Sequence, residues 1–173
     1  MRLRQWIGVF FIGLLTATVV YPLLHEGGHC LAALLVGGSV DAWCLFPLPC
    51  VTCEIAGVGR LGLTLVGLGG MLLPLLLTWL IYLKRPWLRL VGLYLNGICL
   101  LSFAISLYAC VQFCVGTPLP QEDITKVLML YPEKANVLMA ALAVLMAAIL
   151  LQVRLARPIT RAVKYYTSNI KSP

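Results

Sequence analysis

Charge is scarce in this chain. Asp, Glu, Lys and Arg make up 11% of its 173 residues, six of them acidic, and histidine occurs twice. A soluble domain carries about 25% charge. With 61% hydrophobic residues and a mean hydropathy of +0.97, an ordinary soluble domain is excluded. Internal repeats, low-complexity runs, a P-loop and a dinucleotide fingerprint are all missing, so no segment reads as a nucleotide-binding module. What is there instead is apolar sequence in stretches of bilayer length, roughly 20 residues or more, at about 6–36, 61–83, 87–115 and 135–153. The expectation is an all-α polytopic membrane protein, a single domain over 1–173 with about four transmembrane helices and little room for a soluble domain.

The opening "MRLRQWIGVFFIGLLTATVV" has the basic flank and apolar middle of a secretory signal. Its apolar pattern runs on past residue 30 with no small-residue cut site, so it reads as the first span. Pro22 lies inside that span and removes a backbone hydrogen bond, which predicts a kinked or tilted helix.

With four spans, Arg2, Arg4, Lys84, Arg85, Arg89, Arg154, Arg157, Arg161, Lys164 and Lys171 fall on one side, and Arg60, Lys126 and Lys134 on the other. The positive-inside rule assigns the richer side, with both termini, to the cytoplasm. The tail "RLARPITRAVKYYTSNIK" is expected to lie along an anionic surface with Tyr165 and Tyr166 at headgroup level. The net charge of +7 thus reads as topology and a lipid bilayer partner, and no nucleic-acid partner is expected.

Against this background "PLLHEGGHCLAALLVGG" places both histidines in an oily run with a glutamate between them. His25 and His29 are i and i+4 on a helix, so their imidazoles share a face and can grip one zinc ion. Glu26 projects beside them as a base for an activated water. A lone intramembrane histidine is commonly a hydrogen-bonding residue between helices. Three ionisable groups in five residues, each costing roughly 3 kcal/mol at depth in lipid, are better satisfied together by a dication and a water. Gly27 and Gly28 let backbone or substrate come close.

At these residues the chain resembles the site-2 protease family of intramembrane zinc metalloproteases, as a small member without a PDZ domain. "HEGGHCLAALLVGG" is similar to that family's first core helix, and "LVGLGGMLLPLLLTWL", with Gly69, Gly70 and Pro74, to the glycine-and-proline helix that follows. Between them "SVDAWCLFPLPCVTCEIAG" stands where the family has a membrane-associated β-hairpin and alternates enough to form strands. The resemblance covers roughly residues 20–131 and rests mainly on the first motif.

A hydrolytic zinc site needs a third protein ligand and an open position. The resemblance implies a downstream aspartate within N-x-x-P-x-x-x-L-D-G, and this chain departs from that pattern. Its third core helix, "LYLNGICLLSFAISLYACVQFC", has no acid. Asp41, Glu54, Glu122, Asp123 and Glu133 remain as candidates. Asp123 is preferred. In "GTPLPQEDITKVLMLYP", Pro120 and the acids beyond it have the character of a helix first turn, and Ile124, Val127, Leu128 and Tyr131 follow at helical spacing. Residue 123 also falls on the same side as the histidine motif. Glu122 is the alternative at this place, and a solvated helix start is the bland reading.

Asn96, the only amide of the third span, reads as an interhelical hydrogen-bonding residue. The C-x-x-C of Cys50 and Cys53 is too little for a structural metal site without a second pair, and a bond between them is the lesser reading.

The functional expectation is an intramembrane zinc metalloprotease. Its ligands would be His25, His29 and Asp123, its general base Glu26, its cofactor Zn2+, and its substrate a membrane protein or peptide. A homo-oligomer or a regulatory partner stays open. Two alternatives are carried: a prenyl-protein-type membrane zinc peptidase, whose downstream E-x-x-x-H-like helix is missing here, and a non-proteolytic metal-binding transporter or regulator.

Overall fold

The computed structural model describes residues 3–44, 49–81 and 86–155. The tail expected to lie along a surface, with Tyr165 and Tyr166, falls outside the described residues, as do residues 45–48 and the basic pair Lys84 and Arg85. Among the described residues four helical stretches are long and apolar enough to cross a bilayer: Trp6–Leu35, Arg60–Trp79, Leu90–Cys114 and Pro132–Val153.

The first stretch is not one uniform helix. It comprises α1 (Leu3–Leu15), a π-helical turn (Thr16–Val20) and α2 (Tyr21–Leu35), with Pro22 in the first turn of α2. Proline lacks the N–H that would bond Thr18 four residues back. The chain winds wider just ahead of it, so that the Tyr21 N–H reaches the Thr16 carbonyl. Thr16 and Thr18 donate their hydroxyls to the carbonyls of Ile12 and Leu14, at 2.6 and 2.8 Å, the i−4 back-bond that threonine makes inside helices. The expected irregularity is therefore a π-turn one turn before the proline.

α2 ends at a glycine. Gly37 adopts φ +85°, its N–H bonds the Leu34 carbonyl and the Gly38 N–H reaches back to Ala33 at 2.9 Å, a Schellman closure that only a residue without Cβ takes easily. Beyond it β1 (Ser39–Cys44) and β2 (Cys50–Glu54) form a two-stranded antiparallel hairpin, with Ser39 opposite Glu54 and Cys44 opposite Cys50. Asp41 sits at a bulge between Val40 and Ala42.

α3 (Arg60–Ile81) and α4 (Pro86–Cys114) follow. At 29 residues α4 is ~43 Å long at 1.5 Å per residue. It closes as α2 does, through Gly116 at φ +83°, with Thr117 N–H bonding Gln112 at 2.9 Å. A short helix α5 (Asp123–Leu130), a 3-10 turn at Pro132–Lys134 and α6 (Ala135–Leu155) complete the described chain. The helix expected from Pro120 starts later than its proline suggests. Glu122 has the extended backbone of an N-cap, and Asp123 is the first helical residue. Pro120 belongs to the turn before it.

Helix α3 is the centre of the packing, with α2, α4 and α5 against it and α6 on α4. The α2–α3 seam runs antiparallel and at its tightest point, Gly28 against Gly69, brings backbone onto backbone. A Cβ on Gly69 would lie 2.9 Å from the Gly28 carbonyl carbon and 3.0 Å from Ala32 Cβ, and one on Gly28 would lie 2.6 Å from the Gly69 carbonyl carbon. Glycine on both faces permits this approach. The other side of α3 meets α4 through Met71, Leu75, Cys99 and Phe103, while Ile124 and Leu128 seal α5 onto the same cluster. Asn96 is buried in α4, and its amide has no hydrogen-bond partner among the described residues, so the interhelical bond expected of it is not formed.

Candidate metal centre

One turn of α2 separates His25 from His29, and the helical pitch lays both rings toward α3 and α5. Their Nε2 atoms are 3.3 Å apart. Asp123, arriving from the start of α5, brings Oδ2 to 3.3 Å from His25 Nε2 and 3.1 Å from His29 Nε2. Because Asp123 follows the N-cap position, its carboxylate is not used in capping its own helix and is free to face α2.

The protonation pattern follows from chemistry. His29 Nδ1 lies 2.7 Å from the Val66 carbonyl oxygen, which can only accept, so Nδ1 carries a hydrogen. A neutral His29 then presents the Nε2 lone pair to the centre, where Asp123 also presents a lone pair. Acceptors facing acceptors at 3.1 Å repel unless a cation lies between them. A proton on an imidazole can serve one contact; a dication can serve all three.

The distances suit such an ion. Donors arranged tetrahedrally about zinc at 2.0–2.1 Å stand ~3.3 Å from one another, and here the separations are 3.1, 3.3 and 3.3 Å. Two imidazole nitrogens and one carboxylate oxygen are a common zinc donor set that leaves a fourth position open. Space is provided by α3, where Gly70 faces the rings. A Cβ there would lie 2.8 Å from His25 Cε1 and 2.9 Å from His25 Nε2, and closer still to His29 Nε2.

Burial by itself pushes the Asp123 carboxyl up, but imidazole N–H groups of His25 and His29, when turned to it in place of a cation, outweigh burial and, with Lys126, hold the group well below the usual carboxylate range. The carboxylate is therefore ionised, as a ligand must be. Lys126, one turn along α5, donates to Asp123 Oδ1 at 2.9 Å.

Glu26 is half-buried and lines both of two adjoining clefts, of about 360 and 630 Å³, which share His25, Glu26, Pro49, Gln121 and Asp123. The smaller runs between α2 and α4 past Tyr21, Ser102 and Ser106; the larger lies under β2 and is bordered by Cys53, Val66 and Lys126. Of the acids weighed from sequence, Asp123 alone joins the imidazoles among the described residues. Glu122 turns toward the smaller cleft, and Asp41, Glu54 and Glu133 are exposed.

Sequence reasoning missed the Val66 carbonyl, the close face of Gly70 and the role of Lys126. The i+3 spacing of Lys126 from Asp123 was the one local signal available. Cys50 and Cys53, three apart on a strand, point to opposite faces. Cys53 contacts Cys30 of α2, and Cys50 contacts Cys44 across the hairpin. Comparison of the chain with protein-family models, with curated proteins and with solved structures found no match.

Proposed function

We propose that the protein is an intramembrane zinc metallopeptidase of the site-2 protease kind, embedded by its four apolar helices with both termini in the cytoplasm. It acts on peptide bonds of membrane-embedded or membrane-proximal substrates. The observation that carries this reading is the convergence of His25 Nε2, His29 Nε2 and Asp123 Oδ2 at 3.1–3.3 Å, beside a glutamate that opens into two clefts.

His25, His29 and Asp123 would hold the ion. Zinc bound there supplies Lewis acidity, which acidifies water and polarises a peptide carbonyl. Glu26 takes a proton from the attacking water and returns it to the leaving amine. His29, fixed by Val66, keeps its donor lone pair aimed at the centre while these transfers occur. The two clefts give an extended peptide a path on either side of Glu26, and β2 borders the larger of them. Its backbone can pair with the substrate as an added strand, which suits chemistry on an unwound segment because helical peptide bonds are shielded.

Glu26→Gln tests the reading. The amide keeps size and polarity but cannot accept the proton. The variant should retain zinc on metal analysis and lose cleavage of a single-span reporter library reconstituted with it in liposomes. Undiminished cleavage by Glu26→Gln would overturn the assignment.

A further inference from the structure

We infer that Lys126 is a positioning residue that makes Asp123 a one-oxygen ligand. This rests on the metal site proposed above. The two carboxylate oxygens of Asp123 have different partners: Oδ2 faces the imidazoles at 3.1 and 3.3 Å, and Oδ1 accepts from Lys126 Nζ at 2.9 Å. A carboxylate can meet a metal through one oxygen or through both. With Oδ1 engaged, only Oδ2 is offered.

Neither affinity nor stability accounts for Lys126. An ammonium close to a dication repels it, so a lysine here weakens metal binding. The Lys126 side chain is 59% exposed, and exposed ion pairs contribute little to folding. What the contact controls is geometry. Two imidazole nitrogens and one oxygen leave a fourth position for water, whereas a carboxylate turned to bind through both oxygens would fill it. The reach is local: residues three apart on a helix are neighbours, so α5 carries the ligand and its restraint as one piece.

Cobalt(II) in place of zinc, in the purified full-length protein, reads this directly, because four-coordinate cobalt absorbs strongly in the visible and higher-coordinate cobalt weakly. Wild type should show the intense spectrum. Lys126→Met and Lys126→Leu, which have no donor, should keep cobalt and bind zinc as tightly or more tightly, but lose visible absorption by about twofold or more as the second oxygen enters. Lys126→Arg, which preserves the donor, should restore the wild-type spectrum. A wild-type spectrum in both the Met and Leu variants overturns the inference, as does loss of cobalt from both. Failure of the wild-type protein to take up cobalt is a separate result, and overturns the metal site itself.

Discussion

The Nδ1–H of His29 is bonded to the carbonyl oxygen of Val66, 37 residues away, at 2.7 Å. This bond fixes the tautomer and the tilt of one imidazole before any ligand arrives. Its partner differs: His25 Nδ1 is buried and has no hydrogen-bond partner among the described residues. The site is therefore built around an anchored His29, with His25 and Asp123 completing it.

The donor set makes the most direct prediction. His25→Ala, His29→Ala and Asp123→Ala should each lower zinc affinity by at least about 100-fold in metal titrations. Asp123→Asn should lose nearly as much, since it keeps shape and removes charge. Glu122→Ala and Glu133→Ala should stay close to wild type. Retention of zinc by Asp123→Ala, with loss in Glu54→Ala or Asp41→Ala, would move the ligand to the hairpin.

Gly70 tests the space around the rings. The Cβ of Gly70→Ala would crowd both imidazoles, so zinc affinity should fall about tenfold or more, while helical content by circular dichroism is kept. Gly97 is the control, because nothing lies within 4 Å of a Cβ added there. Equal affinities for Gly70→Ala and Gly97→Ala would show that the centre does not use this cradle.

Acid should release the metal through the imidazoles. The Asp123 carboxyl is lowered in the folded protein, so the stability it contributes is complete above roughly pH 4 and is lost only as pH falls through its depressed value. It stays ionised as acid is added, whereas a protonated imidazole cannot be a ligand, so zinc binding must compete with protons. Zinc content after dialysis should therefore fall as the buffer is taken from roughly pH 7 to roughly pH 4, with the fold intact. Undiminished occupancy at the acid end would contradict this.

Sidedness can be read by labelling. In a variant stripped of reactive native thiols, a cysteine at Gln121 should react with an impermeant maleimide on intact cells, and one at Ser172 only after permeabilisation. This follows from the 10-to-3 division of Lys and Arg along the chain. The reverse pattern would turn the clefts toward the cytoplasm.

The long elements were legible because apolar length alone marks them. The stretches expected at 61–83, 87–115 and 135–153 appear as helices at Arg60–Ile81, Pro86–Cys114 and Ala135–Leu155. The hairpin was visible in the alternation of SVDAWCLFPLPCVTCEIAG, residues 39–57, and appears as strands at Ser39–Cys44 and Cys50–Glu54. His25, Glu26 and His29 could be placed together because helical pitch relates residues four apart. Asp123 is 94 residues from His29, and only the sidedness of the loops and the helix start after Pro120 pointed to it. What stayed hidden depends on tertiary approach. No local pattern tells that the Val66 carbonyl meets an imidazole, or that Cys53 finds Cys30 rather than its C-x-x-C neighbour. The π-turn likewise arises from Pro22 acting on the turn ahead of it.

Burial also divides the molecule by how readily its parts open. At Gly28 and Gly69 the α2–α3 seam brings backbone against backbone, with no side chain between them at that point. Ile124 and Leu128, at 0% and 1% exposure, root the helix that carries Asp123. The strands of the hairpin have no buried residue. Local opening free energies follow such differences. Strand residues that are nowhere buried are the first expected to open and exchange their amide hydrogens, whereas the start of α5, rooted by Ile124 and Leu128, is expected to open last, so the rim of the larger cleft and its floor differ in local stability.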